Sequence, residues 1–168
     1  MDNDHTTQYH EPSAKLPPVT FSETDQERLV AVATSALADR RLSPAASNLL
    51  REVYRATIVP DDQLPTNVVA VHSCVDVHDN LTDTNSQIVL VFPDETHTTP
   101  DAVSVLTPLG AALIGLSEGA SVDWCTSSGD RSSKTVLRCR QTPAQLSRIL
   151  PRRRLKDSPR AREALPQT

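Results

Sequence analysis

Three of the chain's four glycines lie within residues 110–119, inside the stretch VSVLTPLGAALIGLSEGASVDW (103–124). With Pro108 between two apolar runs, that placement narrows the possible folds more than any other feature. Thr107 is suited to cap a helix, Pro108 to open it, and residues 109–114 supply about two turns. Gly115 suits the left-handed residue that closes a helix, and Gly119 the tight turn of SEGA. Gly110 falls inside the helix, where glycine costs about 1 kcal/mol against alanine. A glycine kept there implies that another segment packs closely on the backbone.

Around this short helix the hydrophobic period is two. In VVAVHSCVDVHD (68–79), Val69, Val71, Val75 and Val77 fall on one face and His72, Cys74, Asp76 and His78 on the other. That pattern is a strand with one buried and one wet face. SQIVLVFP (86–93) reads as a more fully buried strand stopped by Pro93. VSVL (103–106), ASVDWCT (120–126) and KTVLRCR (134–140) read as three more. Residues 64–140 are therefore expected to form an α+β unit, a twisted antiparallel sheet with one short helix.

Ahead of it, residues 21–60 have helical spacing. Ser22 caps a first helix over about 23–38, whose apolar face is Leu29, Val32, Ala33, Ala36 and Leu37. Ser43 and Pro44 open a second, with Ala46, Leu49, Leu50 and Val53 to about residue 57. A short connection makes the pair an antiparallel hairpin. VPDDQLP (59–65), with two prolines, then marks a domain boundary.

Polar, proline-containing residues 1–20 and 141–168 read as disordered tails. Residues 141–168 hold seven basic and two acidic residues, so they carry +5. The total charge of −4 leaves −9 on residues 1–140. An acidic body with a basic tail is not a nucleic-acid-binding body. No apolar run nears the roughly 18 residues that span a membrane. With no secretory signal and an odd number of cysteines (Cys74, Cys125 and Cys139), the chain is expected to be cytoplasmic with reduced thiols.

His72, Cys74 and His78 are metal-binding residue types on one strand face. Alternate strand residues lie about 6.6 Å apart, so one ion cannot reach from His72 to His78. No metal, cofactor or catalytic constellation is expected, and the chain is not read as an enzyme. Trp124, the only tryptophan, is expected to anchor the core, and Cys125 and Cys139 to be packed thiols.

The segment SVLTPLGAALIGLSEGASVDW, preceded by VLVFPDE, resembles the C-terminal domain of the Gre transcript-cleavage factors. It is closer still to the Rnk type, the regulators of nucleoside diphosphate kinase. The likeness covers about residues 21–140. It implies an FKBP-like sheet domain docking on RNA polymerase at the rim of the secondary channel, behind a short helical hairpin (a short coiled coil). The docking turn carried over from the family is Leu106, Thr107, Pro108 and Leu109. The hairpin tip is Asp39, Arg40, Arg41 and Leu42. Gre factors carry an acidic pair at a longer tip, which helps hold a catalytic Mg²⁺. Here one acid stands beside two cations, so the resemblance implies a monomeric regulator that does not stimulate cleavage. Two other readings stay open: an adaptor for a different protein, and a peptidyl-prolyl isomerase. The isomerase is disfavoured because Phe92 and Trp124 are the only aromatics of the sheet region. The RRRLK run (152–156) reads either as a solubilising tail or as a weak nucleic-acid contact.

Overall fold

The computed structural model describes residues 16–126 and 128–141. The expectations for residues 1–15 and 142–168 lie outside the described residues. The chain enters along β1 (Thr20–Ser22) and passes at once into α1 (Glu23–Ala36). Ser22 caps α1 as expected, its hydroxyl accepting from the Asp25 amide at 3.2 Å. A second acceptor comes from far along the chain, because Asp61 takes the Thr24 amide at 3.1 Å. Together they occupy two of the donors that a helix start leaves free.

Helix α2 (Ser43–Arg55) begins one residue earlier than expected. Ser43 lies inside the helix, Leu42 takes the cap position, and no side chain caps it. After α2 the chain forms β2 (Thr57–Val59), which pairs in parallel with β1. This two-stranded element was not expected. It corrects the reading of residues 1–20 as a tail, because Val19 is buried and Thr20 already belongs to β1.

The main sheet has five strands in the order β5-β4-β3-β7-β6. They are β3 (Cys74–Asp79), β4 (Thr84–Val91), β5 (Ala102–Ser104), β6 (Ser121–Cys125) and β7 (Arg131–Arg140). The α+β reading holds, with one correction. β5 runs parallel to β4, whereas the other pairings are antiparallel. The connection over residues 92–101 carries the chain back before β5 starts.

β3 is also shorter than its period suggested. Residues 70–73 make a turn, with His72 at φ 68, and the strand starts at Cys74. The valines still face inward through the turn, since Val69 and Val71 are as buried as Val75 and Val77, with Val68 and Ala70 buried beside them. A periodicity of two cannot tell a strand from a turn that keeps its valines inward.

One hydrophobic cluster joins the helices to the sheet. Leu29 and Ala33 of α1, and Leu49 and Val53 of α2, are buried with Val75, Leu90 and Val136 of the sheet. Helix α3 (Pro108–Leu113) closes this core with Leu113, and Ile114 and Leu116 follow it inward. Among the described residues, no helix is long and apolar enough to cross a membrane.

At the far end of β3 one ion pair is tightly built. Lys134 Nζ lies 2.8 Å from Asp79 Oδ2, and the Leu81 and Thr82 amides donate to Oδ1 at 2.9 and 3.1 Å. The Lys134 hydrogen bond, followed by those two amides, holds the Asp79 carboxyl well below the usual carboxylate range. The depressed value means its contribution is full above about pH 4 and is lost as pH falls further. Lys134→Met is expected to flatten the acid side of the stability curve, leaving the thermal midpoint less sensitive between about pH 5 and pH 2. Thermal melts across that range check it, and an unchanged acid slope would contradict the assignment.

Candidate docking surface

The turn that enters α3 is locked from both sides. Thr107 Oγ1 accepts the Gly110 amide at 3.0 Å and donates to the Ser104 carbonyl at 2.7 Å. The same carbonyl explains Gly110, because a Cβ placed there would stand 2.0 Å from it. The close approach expected from the sequence is therefore β5 backbone lying against α3. Gly115 and Gly119 have φ of 80° and 82°, the left-handed conformations expected of them.

Within this turn the four carried-over residues separate. Leu106 is only 6% exposed and belongs to the core. Thr107 is occupied as the cap. Pro108 and Leu109 are half-buried, and Pro108 lines a shallow groove between α2, α3 and β6. Trp124 lines that groove too, beside Arg51 and Arg55. This corrects its expected place in the core. Trp124 sits on the half-exposed face of β6, where residues alternate between half-buried and exposed. A strand at the end of the sheet order, covered on one side by α2 and α3, lacks the depth to bury an indole fully.

At the tip, Asp39, Arg40, Arg41 and Leu42 are all exposed. The Asp39 carboxylate accepts the Arg41 amide at 2.8 Å, the local turn that aspartate commonly makes. The structure brings part of the tip to part of the α3 turn. Asp39 and Leu42 line one groove with Leu106, Val32 and Asp94, although more than sixty residues separate Leu42 from Leu106 in the chain.

Sequence reasoning missed the contact that ties α1 to the sheet beside this groove. Arg28 lies over the Phe92 ring, 4.1 Å from its centre. Glu95 Oε2 accepts from His72 Nε2 at 2.7 Å and from the Phe92 amide at 3.0 Å. Burial works against the Glu95 charge. The Phe92 amide, the His72 hydrogen bond and, more weakly, Arg28 outweigh it and hold the carboxyl below the ordinary range. His72 is thus drawn to Glu95 rather than standing on a wet strand face with Cys74 and His78. The FPDE segment carried the signal: a proline opens a turn, and the acid three residues after Phe92 returns to cap it. Cys139 is buried, and burial pushes its thiol up, whereas Cys125 is exposed instead of packed. No cluster of three or more metal-ligating side chains occurs among the described residues.

Two family models match the chain: the C-terminal part of the transcription elongation factors GreA and GreB over residues 64–141, and the Rnk N-terminus over residues 17–59. The chain is 33% identical over 101 residues to proteins of Escherichia coli K12 and Shigella flexneri, each named regulator of nucleoside diphosphate kinase. These matches cover 60% of this chain and 74% of each relative. Among solved structures it is similar to a prokaryotic transcription elongation factor GreA/GreB from Nitrosomonas europaea. There the TM-score is 0.58 at 27% identity, over 74% of this chain and 98% of the other.

Proposed function

The chain belongs to the family of the regulators of nucleoside diphosphate kinase, and from that premise we propose that it is a non-enzymatic transcription regulator that docks on RNA polymerase. The relatives are named as a regulator and an elongation factor. In this reading the sheet and α3 form an FKBP-like docking domain. The site on the polymerase is the rim of its secondary channel.

The observation that carries the reading is the α3 turn. Pro108 and Leu109 reach the surface from a backbone that the Thr107 cap and the Ser104–Gly110 contact hold rigid. Apolar groups on a pre-ordered turn bind at low entropic cost. Leu106 supports the turn from below.

The tip supports a regulator that does not stimulate transcript cleavage. α1 has 14 residues and α2 has 13, about 20 Å each at ~1.5 Å per residue. Asp39 is the single acid of the tip, followed in the chain by Arg40 and Arg41, and one of its carboxylate oxygens accepts the Arg41 amide. A second Mg²⁺ usually needs more than one free carboxylate.

The test is capture of purified bacterial polymerase core enzyme by the intact protein and by Pro108→Ala. Truncating an apolar anchor at the centre of an interface is expected to weaken binding about ten-fold, some 1.4 kcal/mol, with the thermal midpoint retained. Undiminished binding by a folded Pro108→Ala would move the docking site elsewhere. No binding by the intact protein would end the polymerase reading.

A further inference from the structure

The groove shared by the tip and the turn has a volume of about 560 Å³. Its floor is apolar, with Val32 and Ala36 of α1 facing Leu42 and Leu106. Asp39 and Asp94 are its acidic residues, and no lysine or arginine lines it. Arg40 and Arg41 belong to the same connection but do not line the groove.

The chain itself supplies a segment of matching chemistry. Both family matches end by residue 141, and residues 142–168 continue beyond them. Leu146, Ile149 and Leu150 stand at the i, i+3, i+4 spacing of one helix face. Pro151 and then Arg152, Arg153 and Arg154 follow. The segment therefore offers an apolar face and then three cations, to a groove with an apolar floor and two carboxylates. Its +5 also opposes the −9 of the remaining chain, so attraction extends beyond the groove itself.

Where the described chain ends makes the reach short. β7 finishes at Arg140, which pairs with Cys74, and Cys74 pairs with Val89. The chain thus leaves the sheet at the end where β4 runs on into Pro93 and Asp94. Two strand spacings of about 4.8 Å and about four residues of strand rise separate these points, roughly 17 Å. Five extended residues, from 141 to 146, span about the same distance.

We propose that residues 142–156 occupy this groove on their own chain, with Leu146, Ile149 and Leu150 on the apolar floor and the arginines against Asp39 and Asp94. The proposal does not depend on the polymerase reading, because it concerns contacts within one chain.

Carbodiimide coupling of amines to carboxylates in the full chain tests it. The natural amine of the tail is Lys156, and Arg153→Lys adds a second nearer the groove without changing the charge. Mixing ¹⁴N- and ¹⁵N-labelled protein tells coupling within a chain from coupling between chains. The expected result is coupling of these amines to Asp39 and Asp94 within single chains. Its yield should fall about five-fold or more from about 0.1 M to about 1 M salt, as the screening length drops from ~10 Å to ~3 Å. The double variant Ile149→Asp, Leu150→Asp should abolish it while leaving the thermal midpoint in place. Coupling mainly between light and heavy chains would make a second copy the occupant and overturn the proposal. Coupling spread evenly over Glu23, Asp76 and Glu118 would overturn it too, as would coupling that survives the double variant.

Discussion

Gly110→Ala is expected to destabilise the protein by about 3 kcal/mol, at the upper end of what overpacking a core costs. For a domain of this size that is a fall of about 10 °C in the thermal midpoint. The added methyl would lie 2.0 Å from the Ser104 oxygen, 2.8 Å from its carbonyl carbon and 3.0 Å from Val105 Cα. All three are backbone atoms, so no side-chain rotation relieves the contact. Helix α3 would have to move away from β5, pulling on Leu113 and Ala111 and on the Thr107 cap. The sign is diagnostic. Helix propensity alone predicts that alanine stabilises this position by about 1 kcal/mol. A neutral or stabilised Gly110→Ala in urea or thermal denaturation would mean that the close approach of β5 is absent.

Phe21→Ala is expected to cost about 3–5 kcal/mol, the range for removing a large buried aromatic. Phe21 is 2% exposed, and its ring faces Gly115, where an added Cβ would meet it at 2.7 Å. It sits on β1, held by pairing with Ile58 and by the Thr20 amide donating to the Gly115 carbonyl at 3.0 Å. The ring thus joins the start of the chain to the end of α3, and its loss opens a cavity between them. Tyr54, 77% exposed on α2, provides the comparison. Tyr54→Ala is expected to stay within about 0.5 kcal/mol of the parent. Equal effects from the two substitutions would show that β1 does not contribute to the core.

The contrast between these positions marks how far the sequence could be read. The starts of α1 and α3 and the glycine roles were legible because their causes are local, whereas Ser43 entered α2 instead of capping it. Ser22 acts within three residues of itself, and Gly115 and Gly119 answer to their own φ. The α+β class followed from a change of hydrophobic period, which needs only neighbouring residues. The turn that enters α3 could be located from its motif, yet the motif could not separate Leu106, which faces the core, from Pro108, which faces a groove.

What escaped depends on partners distant in the chain. The β1–β2 pair joins residues 20–22 to 57–59, and three-residue strands have too few positions to show a period. Asp61 completes the start of α1 from 37 residues away. Trp124 was assigned to the core on its size, but burial depends on what covers a strand, and β6 lies at the end of the sheet order. His72 left the strand face because a left-handed residue and the Glu95 carboxylate turned it aside. From its own residues the chain determined where α1 and α3 start, where glycine is required and that Val69, Val71, Val75 and Val77 turn inward. Only the tertiary structure decided which distant segments meet, because contacts between remote segments are chosen by the packing of the whole chain.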